Sequence, residues 1–228
     1  RVRLTSESYV PMTKTKLTTY HVRGMGGKPG FKKFLSLFQM RKKKEHLSVF
    51  CIQEHMLPEA EDKEWKNMAK IAGFTLTISY GKADNEESTR GGVLVLLDDS
   101  TIDLTQTLHC QPGFIQVALA WGSEQLTVGC VYAPSHSGMA RIDFLNDIKT
   151  KLTPSTIVGG DWNCVPDRTL DVDSKNPLGY SNTGATLLAG VMEELGLVDA
   201  RREQLGTTAE YTRKGNTTSG VTSTRLDI

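Results

Sequence analysis

Polar side chains that could bind a phosphate group or a metal ion follow three apolar, strand-like segments of this 228-residue sequence. Glu54 follows the first segment, Tyr132 closes the second, and Asp161 and Asn163 follow the third. Hard cations such as Mg²⁺ prefer carboxylate oxygens and complete their shell with water and substrate phosphate. On an extended segment, two residues that are two positions apart point to the same face, so Asp161 and Asn163 could hold a water molecule or a phosphate oxygen in a fixed position. Each signal alone is also typical of an ordinary strand end or turn, and only the combination favours phosphate chemistry.

Short β-branched runs and amphipathic helices must position these residues. Apolar residues spaced at i, i+3, i+4 and i+7 predict four helices. The first follows Pro29-Gly30, and the second contains Trp65 and ends at Gly73. The predicted strands are Leu17–Val22, Leu47–Ile52, Phe74–Ser79, Gly92–Leu97, Phe114–Trp121, Leu126–Tyr132 and Thr156–Val158. The remaining predicted helices are Met139–Leu152 and the segment from Leu187 to Gly196.

The order of these elements predicts an α/β fold with two packed sheets and helices outside them. No linker rich in Pro, Gly or Ser divides the chain, so residues 1–228 are interpreted as a single domain with a basic N-terminal segment at 1–16. Two polar, turn-rich loops, 82–89 and 167–183, are long enough to be functional.

Charge is distributed unevenly along the sequence. Residues 1–50 contain 12 of the 27 Lys and Arg but 2 of the 26 Asp and Glu, which gives +10 there and −9 over the rest. A basic segment can attract nucleic acid. On charge alone, however, the cluster at 41–44 is better interpreted as a solvated helix end whose cations complement the helix dipole.

Cysteine content and hydropathy restrict the compartment. The four cysteines form no Cys-x-x-Cys pair and lack zinc-finger spacing, so they are expected to be free thiols in a reducing compartment. No apolar run reaches the roughly 18 residues of a membrane span, and no apolar signal segment follows the N-terminus. We therefore expect a protein that is neither membrane-bound nor secreted.

Taken in order, four short motifs resemble those of a known family. They are Gln53-Glu54, Val131-Tyr132-Ala133-Pro134, Gly160-Asp161-Trp162-Asn163 and Arg225-Leu226-Asp227. The series resembles the endonuclease/exonuclease/phosphatase superfamily, which includes exonuclease III, apurinic endonucleases and DNase I. It is most similar to the endonuclease domain of LINE-type (non-LTR) retrotransposons, because Leu197-Val198-Asp199, Tyr211-Thr212 and Thr224–Asp227 match that subfamily. The resemblance implies a four-layer α/β/β/α sandwich of the DNase I and exonuclease III type, here without its last strand.

The resemblance also implies a role for each motif residue in metal-assisted hydrolysis of a DNA phosphodiester. The cofactor would be Mg²⁺, with Mn²⁺ as the alternative. Glu54 would be the metal ligand, and Asp161 would be the general base or proton-handling group. Asn163 would position the phosphate or the attacking water, and Tyr132 would hydrogen-bond the phosphate. Thr212 would contact or orient the active centre, and Asp227 would be the carboxylate that holds a catalytic His in its correct tautomer. Arg225, two positions before Asp227, shares its face on a regular strand and could line the substrate groove.

The sequence departs from the family pattern at two places. The family's Asn at the end of the first strand is replaced by His21, which is bulkier and lacks the amide carbonyl. His21 can still donate one hydrogen bond as Asn does, so the resemblance implies a substrate-binding role for it. The sequence also stops at Ile228, before the family's final strand and terminal His. A retuned site and a decayed site are both consistent with His21. We expect residues 1–228 to bind Mg²⁺ weakly and to nick DNA poorly. They lack the family's terminal His, and a general acid–base group of this kind contributes about 10²–10⁴-fold to the rate.

These observations predict an endonuclease domain that nicks target DNA to prime reverse transcription. Its partners would be DNA and a covalently linked reverse transcriptase, and it would be a monomer that acts in the nucleus and is otherwise cytoplasmic. Two alternatives remain: another phosphodiesterase or phosphatase of the same fold, and a catalytically decayed DNA-binding remnant.

Overall fold

Two four-stranded sheets form the centre of the protein in a computed structural model. It describes residues 16–81, 91–173, 182–208, 213–217 and 220–224. The first sheet has the order β1-β2-β4-β3, in which β1 and β2 are parallel and the other pairs are antiparallel. Its strands are β1 (Lys16–His21), β2 (Leu47–Gln53), β3 (Phe74–Ser79) and β4 (Val93–Asp98).

The second sheet has the order β5-β6-β7-β8, with β7 and β8 parallel and the other pairs antiparallel. Its strands are β5 (Asp103–Gln111), β6 (Phe114–Trp121), β7 (Glu124–Tyr132) and β8 (Thr156–Asp161). A small antiparallel sheet of order β10-β11-β9 adds β9 (Val172–Asp173), β10 (Arg213–Thr217) and β11 (Gly220–Thr224).

Helices cover the outer faces of the two large sheets. On the first sheet, Phe31 and Trp65 from two helices pack against Phe50 and Leu94 in one buried cluster. On the second, Leu145 and Leu188 come from the covering helices. The helices are α1 (Gly27–Glu45), α2 (Asp62–Ile71), α3 (Gly138–Lys149), α4 (Arg168–Asp171), α5 (Ala185–Leu195) and α6 (Ala200–Leu205).

A third apolar layer lies between the sheets and joins them. Burial of such side chains contributes about 25 cal/mol per Å² of apolar surface, so this layer fixes how the sheets lie relative to each other. Its members from the first sheet are Val49, Cys51, Val93, Val95 and Leu97, and those from the second are Ile115, Val117, Leu119, Val128 and Cys130. The predicted α/β/β/α sandwich is therefore confirmed.

Most elements agree with the sequence-based expectation, but β5, the strands of the small sheet, and the short helices α4 and α6 were not predicted. All seven predicted strands and all four predicted helices are present, and α5 ends at Gly196, which adopts φ +63°. The prediction omitted β5, which lies at the sheet edge, is largely exposed and pairs with β6 through two register irregularities. Its polar residues therefore lack the apolar alternation by which strands are recognised.

Other predictions concern single residues or the whole chain. Cys51, Cys130 and Cys164 are buried free thiols, while Cys110 is exposed. The basic cluster at 42–44 forms the last turn of α1, as the helix-end interpretation predicted. None of the helices among the described residues is long and apolar enough to cross a membrane. The single-domain interpretation stays a prediction, and loop 82–89 and residues 174–181 of the second loop lie outside the described residues.

Candidate active site

The candidate site lies where strand ends of the two sheets meet. His21 is the last residue of β1, and Glu54 directly follows β2. Tyr132 ends β7 and is paired across the ladder with Asp161 at the end of β8. Because β1 runs parallel to β2 and β7 parallel to β8, the carboxyl ends of each pair are adjacent. The chain thus gathers at one rim four groups that are far apart in sequence.

The His21 imidazole lies between two carboxylates. Its Nδ1 is 2.8 Å from Oδ2 of Asp161, and its Nε2 is 2.5 Å from Oε2 of Glu54. The hydrogen bond to Asp161 raises the pKa of His21 above 6.5, burial opposes this, and the bond to Glu54 adds to the rise. The protonated ring donates from both nitrogens, so His21 ties the first sheet to the second.

Tyr132 supports Glu54 from the other side. Its hydroxyl donates a 2.7 Å hydrogen bond to Oε1 of Glu54, and its ring meets the His21 ring edge-on at 5.7 Å between centroids. Burial, followed by the bond to Glu54, raises the pKa of Tyr132 well above its usual 10. The phenol therefore stays protonated and acts as a donor.

Asp161 and Asn163 form a turn and not an extended segment, so the predicted shared face is wrong. Strand β8 ends at Asp161, and Asn163 adopts φ +49°. The backbone N–H of Asn163 donates to Oδ1 of Asp161 at 2.8 Å, as in an Asx-type turn. The Asn163 side-chain Nδ2 donates to the Ala133 carbonyl at 2.7 Å. Asn163 thus fixes the Asp161 carboxylate and the segment after Tyr132. Trp162, between Asp161 and Asn163, packs into the core.

Gly160 allows β8 to approach β7 just before Asp161. A Cβ at this position would lie 2.0 Å from the carbonyl oxygen of Val131, and the backbone has φ +151°. No side chain fits such a gap, so the Gly160-Asp161 pair is a structural requirement of the site.

Sequence reasoning missed the support beneath Glu54. Glu54 has φ +58°, and its N–H donates to the Gly92 carbonyl at 2.9 Å. His55 is fully buried, with Nε2 3.0 Å from the Ser79 carbonyl oxygen and Nδ1 accepting the Leu57 N–H at 2.9 Å. Burial lowers the pKa of His55 to about 4, so the ring is neutral and donates from Nε2. Because it is fully buried, His55 supports the chain beneath Glu54 and cannot contact solvent. The available signal was the Gly91-Gly92 pair, since Gly-Gly dipeptides mark turns, and the carbonyl of Gly92 is the one that accepts the Glu54 N–H.

The carboxylates as arranged here do not fit the divalent ion that the resemblance implies. The four carboxylate oxygens of Glu54 and Asp161 each accept a hydrogen bond from the protein, two of them from His21. Within the described ranges, no three His, Cys, Asp or Glu side chains are arranged to hold a metal ion. An ion placed between Glu54 and Asp161 would first need the imidazole to move.

Three predicted site residues lie outside the described residues. They are Thr212, Arg225 and Asp227. Their implied roles stay predictions, whereas the other five predicted site residues lie together at the rim.

Comparison with solved structures relates this architecture to known enzymes. AP endonuclease LMAP from Leishmania major superposes with a TM-score of 0.68 at 16% identity, covering 92% of this chain and 77% of that one. The chain has the AP endonuclease fold. This confirms, for the fold, the resemblance seen in the motifs.

Two further structures share the AP endonuclease fold with this chain. The endonuclease domain of TRAS1, a telomere-specific non-LTR retrotransposon, has a TM-score of 0.53 at 13% identity over 91% of this chain and 81% of that one. TDP2 of D. rerio, complexed with a single-strand DNA product, has a TM-score of 0.54 at 14% identity over 92% and 80%. No protein-family model matches the sequence, and no curated protein matches it.

Proposed function

We propose that this chain is a nuclease that hydrolyses phosphodiester bonds in DNA. The observation that carries the proposal is the convergence of Glu54, Tyr132 and Asp161 at one rim of a sandwich whose fold is shared with AP endonucleases. The TDP2 structure, which contains a DNA product, and the TRAS1 endonuclease domain support DNA as the substrate.

The described contacts support a separate chemical role for each of three residues at the rim. Asp161, held by the Asn163 N–H and by His21, is placed to accept a proton from an attacking water. The Tyr132 hydroxyl can turn its hydrogen from Glu54 toward a phosphate oxygen. His21, when protonated, brings positive charge to a site whose two carboxylates would otherwise repel a phosphate.

The finer parts of the proposal rest on the motif resemblance. They are a Mg²⁺ requirement with Mn²⁺ as the alternative, an origin in a LINE-type retrotransposon with a linked reverse transcriptase, monomeric state, and action in the nucleus. The TRAS1 domain, which belongs to a non-LTR retrotransposon, supports the origin. The carboxylate contacts described above oppose simple ion binding, so the metal requirement needs its own test.

Plasmid nicking tests the proposed function. We expect the wild-type chain, with Mg²⁺ or Mn²⁺, to convert supercoiled plasmid slowly to open circles. Asp161→Asn should lower this rate by about 10²-fold or more, because it removes the proton acceptor. Asp103→Asn, which makes the same chemical change at an exposed residue of β5, should leave the rate unchanged.

Three results would overturn the proposal. Phosphate release from phosphoinositides without plasmid nicking would identify a phosphatase of the same fold. A gel shift with DNA but no nicking under either metal would identify a decayed DNA-binding remnant. Equal nicking by the wild type and Asp161→Asn would remove the assigned site.

A further inference from the structure

The His21 ring occupies the space between the two carboxylates of the proposed site. We propose that His21 takes the place of the divalent ion in this site, so that an ion binds only after the ring leaves Glu54 and Asp161. Replacing His21 by Asn would then create a tighter ion site. The inference concerns the ion of the proposed nuclease site and rests on that proposed function.

The hydrogen bonds at the rim carry the first step of the argument. Imidazole is rigid, and its two nitrogens contact Oε2 of Glu54 and Oδ2 of Asp161 at 2.5 and 2.8 Å. The other oxygen of each carboxylate is engaged by the Tyr132 hydroxyl or the Asn163 N–H. An incoming ion must therefore compete with His21 for Oε2 of Glu54 or Oδ2 of Asp161.

The exposure of the three side chains shows how the exchange can occur. The His21 side chain is 26% exposed, whereas that of Asp161 is 3% exposed and that of Glu54 is 18% exposed. The ring can thus swing toward solvent while the carboxylates stay in place. Its departure would free one oxygen of each carboxylate beside water. Because these oxygens contact opposite sides of one ring, an ion with Mg–O distances of about 2.0–2.1 Å would bind one of them directly and the other through one of the waters that Mg²⁺ usually keeps.

Asparagine changes this balance in two ways. Its side chain is too short to contact both carboxylates as the ring does, and its amide oxygen is itself a hard ligand. A protein whose binding-competent state is fractionally populated loses apparent affinity by that fraction. Removing the competing ring should therefore raise the affinity for the ion.

Ion binding at a single pH tests the inference without relying on catalysis. Free Mn²⁺ is followed by its EPR signal, and Mg²⁺ is titrated by calorimetry, in the 228-residue wild type and in His21→Asn. We expect His21→Asn to bind Mn²⁺ about tenfold or more tightly than the wild type. His46→Asn is the matched control, because His46 is exposed just before β2, at its far end, in the left-handed region that Asn tolerates. Equal or weaker Mn²⁺ binding by His21→Asn would overturn the inference.

A second measurement on the wild type covers the case in which His21→Asn does not fold. Long-range ¹H–¹⁵N spectra of the imidazoles report on both nitrogens of His21 during a Mg²⁺ titration. We expect the His21 resonances to move in step with Mg²⁺ binding, and saturation with Mg²⁺ without any change at His21 would overturn the inference. Failure of plasmid nicking in all variants would instead count against the proposed function, and the Mn²⁺ result would still stand.

Discussion

Acidification should destabilise this protein through His55, which lies beneath Glu54. The ring is fully buried and neutral, and it is held by the Ser79 carbonyl and the Leu57 N–H. Protonation would turn Nδ1 from an acceptor into a donor facing the Leu57 N–H, which is itself a donor. The folded state therefore resists the charge that the unfolded chain accepts freely.

The size of the effect follows from the pKa. Burial lowers the pKa of His55 from 6.5 to about 4, and one pKa unit corresponds to 1.36 kcal/mol. The unfolded state binds the proton first, so the free energy of unfolding falls as the pH drops below 6.5. The contribution of His55 is complete above pH 6.5 and is lost by about pH 4, a total of about 3 kcal/mol.

Urea unfolding at pH 7 and at pH 4.5 measures this contribution in the wild type and in His55→Asn. The variant should be less stable than the wild type at pH 7. At pH 4.5 the difference in unfolding free energy between the two proteins should be smaller, by most of about 3 kcal/mol. Since Asn does not titrate, the comparison cancels the acidic groups that both proteins share. His46→Asn, which removes an exposed histidine, is the control. The same difference in unfolding free energy between the wild type and His55→Asn at both pH values would refute the reasoning.

Two further substitutions test other contacts of the site. Tyr132→Phe removes the hydroxyl that donates to Glu54 and should slow plasmid nicking by about 10-fold or more, since hydrogen bonds to charged groups contribute about 1.5–3 kcal/mol; an unchanged rate would contradict the assigned contact. Gly92→Ala should lower the free energy of unfolding by about 2 kcal/mol or more, because its Cβ would lie 2.4 Å from Nε2 of His55 at φ +83°. Gly190→Ala is the matched control: it lies in α5 with open space around it and should stabilise the protein by about 0.5–1 kcal/mol in the same urea assay.

The sequence predicted the parts of the site that depend on strand ends. Glu54, Tyr132 and Asp161 each end or follow a buried apolar run, and buried strands have the clearest sequence pattern. Their meeting at one rim follows from the parallel pairing of β1 with β2 and of β7 with β8. Pairing between distant strands is not visible in the pattern, so the convergence came from the motif resemblance.

Other features could not be predicted because they depend on contacts across the fold. The φ of +49° at Asn163 requires the turn that its N–H makes with Asp161, and alternation alone gave the wrong face. The position of His21 between two carboxylates depends on residues 33 and 140 positions away. The supporting role of His55 depends on its burial against Gly92. Strand β5 lies at a sheet edge, and because most of its residues are exposed it lacks an alternation of apolar and polar residues.

Since Glu54 follows a strand of one sheet and Asp161 ends a strand of the other, the apolar layer between the sheets sets the width of the rim where the candidate site lies. Interiors packed as densely as crystals transmit a change of one methylene to their neighbours. Volume changes at Val95 or Val117, deep between the sheets, would therefore be felt as altered spacing at the rim. Substitutions between the sheets can therefore change the geometry of the candidate site without changing any residue at the rim.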